Sequence, residues 1–333
     1  MKKFVFTCGD INGIGPEIVQ KSLNKIYSPE QYKFYYLCPA DTFERVSEMI
    51  QPSFEYKVCD WQQGLTDSSS KVVVINIGKS RPETGKPTRN SGELSYKAVR
   101  KSYELTTRGV ADAIITAPIS KYALSLAGVN FPGHTEMFAE WASTDNYVMM
   151  FMSSKMNCAL MTIHEPIKKI SKLLTEKRIK RTLKVIINSL QADFGIKEPK
   201  IAVLGLNPHA GENGRIGSEE LNTIIPAISD SEYNDLISGP FVPDAFFASQ
   251  LFREFDIVVG MYHDQVLIPF KMLNFSSGVN FTAGLPFIRT SPDHGTAFDI
   301  AGKNMADESS ILEAFYLSER IISNRFKNEP GKS

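Results

Sequence analysis

Short apolar, β-branched runs alternate with longer stretches of helical periodicity along this chain of 333 residues, the pattern of an α/β protein. Residues 3–8, 33–38, 72–77 and 111–116 predict a first group of buried strands, and residues 147–152, 157–163, 201–206 and 256–261 a second. Between them, residues 93–108 place Leu94, Ala98, Tyr103 and Leu105 on one helical stripe. Residues 135–141, 176–190 and 309–325 predict further helices. Pro16 suits the first turn of a helix that follows Gly13-Ile14-Gly15, and Ser218, ahead of Glu219-Glu220, is placed as an N-cap. Repeated βα alternation predicts a three-layer α/β/α fold with a largely parallel sheet and helices on both faces. No internal repeat is visible.

One segment breaks the alternation. Residues 78–92 hold two prolines and no large apolar residue, which predicts a surface loop, with active-site cover as the alternative. Its Gly78-Lys79-Ser80 is not a phosphate-binding P-loop, because Val73 stands where the first glycine is needed. A dinucleotide fingerprint is also missing: after Gly13 and Gly15, Ile18 occupies the third glycine position.

Composition narrows the class. The length exceeds what one core fills, so two lobes are expected. Thirty-seven basic and thirty-seven acidic residues cancel, which argues against a nucleic-acid or anionic-membrane binder. An anionic ligand must therefore meet local cations. Cys8, Cys38, Cys59 and Cys158 form no paired motif, and no apolar run reaches the length of a signal-peptide core or a membrane span. A cytoplasmic protein with reduced thiols is expected.

The five histidines then carry the argument. His164, His209 and His263 each follow an apolar run closely, and ligands of open α/β sheets bind beyond the carboxyl ends of the strands. Three imidazoles delivered there suit one divalent metal, although each alone also fits a hydrogen-bonded turn residue. His164 and His263, far apart in sequence, are expected on different lobes. Further on, Lys271, Asn280 and Arg289 bring an ammonium, an amide and a guanidinium into an otherwise apolar or small stretch, a set suited to phosphate or carboxylate. Lys121, Asp244 and Asp264 are candidates for proton transfer or for structural ion pairs.

Asp293-His294-Gly295-Thr296-Ala297-Phe298-Asp299-Ile300-Ala301-Gly302 resembles the adenosine-binding loop of the isocitrate and isopropylmalate dehydrogenase superfamily. Within it, the chain resembles the 4-hydroxythreonine-4-phosphate dehydrogenase (PdxA) family. The matching motifs run almost end to end: Gly9-Asp10 with Gly13-Ile14-Gly15-Pro16-Glu17, Thr116-Ala117-Pro118-Ile119-Ser120-Lys121, Gly133-His134-Thr135-Glu136, Leu206-Asn207-Pro208-His209-Ala210-Gly211-Glu212, Gly239-Pro240 with Asp244, and Tyr262-His263-Asp264-Gln265. Ile11-Asn12 departs from the family's usual Pro-Ala.

The resemblance implies metal ligation by His164, His209 and His263, and substrate contacts from His134, Thr135, Lys271, Asn280 and Arg289. It implies NAD or NADP bound at Asp293, His294, Gly295, Thr296, Ala297 and Asn304, and one zinc, magnesium, manganese or cobalt ion per site. It implies a homodimer whose active site lies at the subunit interface, with metal ligands shared by both chains. The expected lobes are residues 1–128 with 265–333, for nucleotide, and 129–264, for metal, substrate and dimerisation. The implied reaction is oxidation of 4-phosphooxy-L-threonine at C3 with loss of CO2. A sister enzyme acting on D-threonate or D-erythronate 4-phosphate, a phosphate acyltransferase and a metal-dependent hydrolase are the alternatives.

Overall fold

The computed structural model describes residues 1–61, 69–274 and 277–328. Its Cα packing divides the chain into two units, residues 1–143 with 286–322 and residues 144–285 with 323–333. The expected limit after residue 128 falls inside the first unit. There Trp141 and Phe138 pack edge-on with Tyr103 and Phe287, which draws the following helix into that core. The expected limit after residue 264 falls inside a helix of the second unit.

The first unit is wholly parallel. Strands β1 (Lys2–Thr7), β2 (Tyr32–Leu37), β3 (Tyr56–Asp60), β4 (Val72–Asn76), β5 (Ala113–Thr116) and β12 (Ile288–Pro292) lie in the order β3-β4-β2-β1-β5-β12. β1 and β2 run in register from Lys2–Tyr32 to Thr7–Leu37, and β5 continues the ladder beside β1 from Phe4–Ala113. Parallel strands need crossovers, and these are α1 (Gly15–Ile26), α2 (Ala40–Met49), α3 (Arg89–Thr107), α4 (Lys121–Leu126) and α5 (His134–Trp141). α3 opens on a reciprocal cap in which the Thr88 and Ser91 side chains each accept from the other's backbone amide. Lys101 of α3 also sits 4.0 Å from the Trp61 ring centroid.

The second unit is mixed. β6 (Val148–Met152), β7 (Cys158–Leu160), β8 (Ile201–Leu204), β9 (Ile237–Phe241), β10 (Ile257–Gly260) and β11 (Val279–Ala283) follow the order β11-β6-β7-β10-β8-β9. β6 is antiparallel to both β11 and β7, while β7, β10, β8 and β9 pair in parallel, so the arrangement is largely parallel, as expected, with one reversed strand. The reason is local: the short link Ser153–Asn157 closes on itself through Ser153 Oγ and Asn157 Oδ1, so β7 turns straight back along β6. α6 (Ile167–Leu173), α7 (Glu176–Ala192), α8 (Ile225–Ser229), α9 (Pro243–Ala248) and α10 (His263–Leu273) complete the unit. The core gathers Met149, Phe151, Leu160, Val258, Phe246 and Phe270. Ser218 does not cap a helix by its side chain. The chain instead passes through a wide turn at Glu220–Ile224 into α8.

The last helix, α11 (Ser309–Asn328), seals the first unit with one ring. Phe315, fully buried, packs on Phe4 at 4.7 Å between centroids, Tyr32 at 5.3 Å and Phe34 at 5.9 Å. Deleting it removes a large buried area and leaves a cavity among rigid strand residues. Phe315→Ala is expected to cost about 3–5 kcal/mol, measurable by denaturant unfolding. A loss under about 1 kcal/mol would mean that the cluster collapses around the gap.

Candidate active site

The residues singled out from the sequence fall into three groups. In the first unit, Arg289 extends from β12 into the interior and is only 2% exposed. Its Nη2 and Nε donate to Thr116 Oγ1 at 2.8 and 3.2 Å, and its Nη1 reaches Thr135 Oγ1 at 3.5 Å. Burial pulls the guanidinium down to about 9, against a smaller upward pull from the Glu136 carboxylate. It therefore remains a cation at neutral pH.

His134 begins α5 beside it. Burial, and then the neighbouring Arg289 charge, hold its imidazole well below the usual histidine range. The ring is neutral, and its buried Nε2 has no hydrogen-bond partner among the described residues. A buried cation that donates to two hydroxyls and feels the Glu136 carboxylate, next to an imidazole with an unsatisfied nitrogen, is a polar cluster suited to a hydrogen-bonding ligand.

In the second unit, His164, His209 and His263 follow the ends of β7, β8 and β10. β10 pairs in parallel with both β7 and β8, so three adjacent strands release the three histidine turns. His164 and His263 both belong to this unit, which corrects the expectation of different lobes; their ring centroids lie 6.0 Å apart. With metal–nitrogen bonds of about 2 Å, two imidazoles on one ion place their centroids roughly 4.5–5.5 Å apart, so the pair stands close to that spacing and slightly wider. Among the described residues no group of three or more His, Cys, Asp or Glu could hold a metal, so His209 does not complete the pair within the chain. Asp264 Oδ1 lies 2.7 Å from His263 Nδ1, which leaves Nε2 for a ligand, the usual carboxylate–histidine arrangement at a metal.

Residues not singled out as functional hold these turns. Thr162 Oγ1 donates to the Met261 carbonyl at 2.6 Å, tying the His164 turn to the His263 turn. Gln265 accepts from Met261 N and donates to the Gly205 carbonyl, both at 2.7 Å, tying β10 to β8. Glu220, 2% exposed, accepts from the amides of Leu206 and Asn207, both at 2.7 Å. The turn beyond is strained: His209, Ala210, Gly211, Glu212 and Asn213 all have left-handed φ between 42° and 78°. Four of these are not glycine, and such strain persists where surrounding structure over-determines it, most often at functional sites. The clue in the sequence was Glu219-Glu220 directly after a glycine-rich turn, which reads equally well as a helix start.

Lys271 lies in the last turn of α10, and Asn280 on β11 keeps a buried Oδ1 without a partner among the described residues. Lys121 and Asp244 are exposed in the first turns of α4 and α9.

The third group belongs to the first unit and fits a nucleotide. The Thr296 carbonyl accepts from Ile14 N at 3.0 Å, and a Cβ on Gly13 would stand 2.7 Å from that carbonyl oxygen. Gly295 faces open space, His294 keeps a buried Nε2 without a partner among the described residues, and Ala297 and Asn304 hold left-handed φ of 40° and 56°. Asp293 N is fixed by Ser310 Oγ at 3.2 Å. A cavity of about 520 Å³ opens alongside, between Gly13, Pro16, Arg45, Thr84 and Gly302.

Comparison with known proteins identifies the family of this chain. The profile of the family described as "Pyridoxal phosphate biosynthetic protein PdxA" matches residues 30–318. The chain belongs to the PdxA family. A 4-hydroxythreonine-4-phosphate dehydrogenase of Prosthecochloris aestuarii is 40% identical over 98% of both chains. A D-threonate 4-phosphate dehydrogenase of Salmonella typhimurium is 37% identical over 96% of this chain and 99% of its own. The crystal structure of a Klebsiella pneumoniae 4-hydroxythreonine-4-phosphate dehydrogenase superposes with a TM-score of 0.80 at 36% identity, covering 97% of this chain and 100% of that one. Isocitrate dehydrogenase of Methylococcus capsulatus shares the fold alone, with a TM-score of 0.53 at 13% identity over 98% of this PdxA-family chain and 87% of its own. No helix of the described residues is long and apolar enough to cross a membrane.

The neutral His134 yields a pH dependence with a definite sign. Its folded pKa lies below its unfolded value, so the unfolded chain binds the proton more readily. Stability should fall as pH drops below about 6.5, the free-histidine value, and the loss should level off below the folded pKa. His134→Gln should flatten that part of the profile in urea unfolding from neutral to acid pH. An unchanged slope in the variant would assign the acid sensitivity elsewhere.

Proposed function

We propose that this chain is an NAD(P)-dependent dehydrogenase. It oxidises 4-phosphooxy-L-threonine at C3, with loss of CO2, to 3-amino-2-oxopropyl phosphate, a cytoplasmic step of pyridoxal 5'-phosphate synthesis. The observation that supports this reading is the buried Arg289 beside His134 and Thr135, in a PdxA-family chain that also has three histidine turns at strand ends.

Arg289 and Thr135 present cationic and hydroxyl groups to the substrate's phosphate or carboxylate, and neutral His134 contributes its unsatisfied nitrogen. Within the second unit, Lys271 offers an ammonium and Asn280 an amide oxygen without a partner among the described residues. The chemistry that NAD or NADP supplies at Asp293–Ala297 and Asn304 is acceptance of the C3 hydride. The chemistry that a divalent zinc, magnesium, manganese or cobalt ion supplies at the histidines is polarisation of the C3 hydroxyl. Asp264 then serves as the positioning partner of His263, which leaves Lys121 and Asp244 as the exposed groups available for proton transfer.

A specific observation supports a second reading, the same chemistry on D-threonate 4-phosphate, because a relative of nearly equal similarity carries that name. Parallel assays of cofactor reduction on both substrates separate the two. 4-Phosphooxy-L-threonine is expected to be turned over with the higher kcat/KM. A reversed preference overturns the substrate and leaves the dehydrogenase class standing, and no cofactor reduction on either overturns the class. Arg289→Lys should raise KM about tenfold, since an ammonium cannot reproduce the guanidinium fork.

The placement of the histidines also bears on assembly. His164 and His263 pair within one chain, so we take His209 as the ligand that a second copy contributes to a homodimeric site. Mixing inactive His209→Ala and His263→Ala subunits would then produce hybrids with one intact and one doubly broken site. With random exchange, activity should recover to about a quarter of wild type. Mixing His164→Ala with His263→Ala should recover nothing. Verified exchange without recovery in the first mixture would place all three ligands on one chain.

A further inference from the structure

The second unit carries a cavity of about 670 Å³ that takes no part in the chemistry above, within the size range that holds a small molecule. One wall is the face of α7 that bears Arg181, Lys184 and Asn188. The others are Asn146 just before β6, Gly284 just after β11, and Arg325 from the end of α11.

The charges around it do not balance. Three cationic side chains line the cavity against one carboxylate, Asp193, and that carboxylate is already committed. It is 3% exposed, accepts from Ser189 Oγ and from Arg325 Nε, both at 2.6 Å, and its backbone carbonyl accepts from Asn324 Nδ2 at 2.8 Å. A buried acid thus grips the guanidinium by its Nε edge and leaves both terminal nitrogens of Arg325 for something else. Among the described residues those two nitrogens have no partner in a hydrogen bond or ion pair, and neither do the Arg181 guanidinium and the Asn188 amide. Lys184 bonds Glu232 at 2.8 Å, a pair whose side chains are more than half exposed and readily shared with solvent or ligand.

We infer that this cavity binds the phosphate group of a small phosphorylated molecule, at a site separate from Arg289 and Lys271. Two guanidinium forks and an ammonium carry more charge than a single carboxylate neutralises, and they match the several oxygens of a dianionic phosphate. The Asp193 brace holds Arg325 in place before a ligand arrives, which removes part of the ordering cost of binding. A ligand there also bridges α7, the end of β11 and the end of α11, so it stabilises the unit that carries the histidine turns.

Calorimetric titration of the full-length protein with inorganic pyrophosphate and orthophosphate, alongside thermal unfolding in the same ligands, tests this. Saturable binding and a rise in Tm are expected. Arg181→Ala, at an exposed position with no side-chain partner, and Arg325→Lys should each weaken binding about tenfold or more, the loss of one charge-assisted contact. Lys271→Ala and Arg289→Lys should leave it unchanged. Because Arg325 also braces Asp193, Arg181→Ala decides the matter if Arg325→Lys fails to fold. Undetectable binding, or binding unaffected by Arg181→Ala, overturns the proposal. Binding abolished by Lys271→Ala assigns the phosphate to the active site and likewise overturns it. Succinate binding as tightly as pyrophosphate refutes the phosphate class.

Discussion

At the carboxyl end of every buried strand the backbone leaves its ladder inside the protein. The amides and carbonyls freed there must find partners, since an unpaired buried group costs about 1–3 kcal/mol. Side chains supply them throughout this chain. Thr7 Oγ1 takes the amide of Ala117, Asn76 Oδ1 those of Ala40 and Gly78, Asp10 that of Asn12, and Glu220 those of Leu206 and Asn207. Gln265 and Thr162 do the same for the turns after β8 and β10. The same ends present the histidines, and Thr116 at the end of β5 takes the Arg289 guanidinium. One requirement therefore both closes the fold and fixes the functional groups, and the site is as rigid as the strands beneath it.

Much of this was legible in the chain. Runs such as 3–8, 33–38 and 201–206 are apolar because both faces of those strands are covered, and all end within two residues of the observed strands. β3 was not legible because its five residues, Tyr56–Asp60, are mostly exposed on the edge of the sheet and include Lys57 and Asp60, which leaves no apolar run. α10 was hidden by Pro269 in its interior and by a continuous apolar run that fits strand or helix. The reversed direction of β6 was not legible because it depends on a link closed by Ser153 and Asn157, which periodicity does not register.

The site was legible as residue types and less so as geometry. Histidine after an apolar run signals a strand-end turn, and all three metal candidates lie where that rule puts them. Their grouping was not predictable, because it depends on strand order: β10 lies between β7 and β8 although it comes last in sequence. Sequence distance therefore misled for His164 and His263, whose strands are neighbours. Glu220 and Thr162 escaped notice for a related reason. Their roles are hydrogen bonds to backbone atoms brought close only by the fold, and a lone Glu or Thr carries no spacing that announces such a bond.

The one departure from the family's first motif has a structural account. Asn12 is fully buried, and its side chain is fully engaged with the loop at residues 78–92. Its Oδ1 accepts from Glu83 N at 2.9 Å, and its Nδ2 donates to the Lys86 carbonyl at 2.9 Å and to Thr88 Oγ1 at 3.3 Å. The Asn12 carbonyl accepts from Gly85 N at 2.8 Å. An alanine at this position would keep only the last bond. The substitution thus fastens a loop whose Thr84 borders the cavity beside the nucleotide candidates, against Gly302. All of these bonds go to residues 83–88, the stretch that leads into the cap of α3. Asn12 therefore packs this part of the segment against the first motif, and it is not a free surface loop.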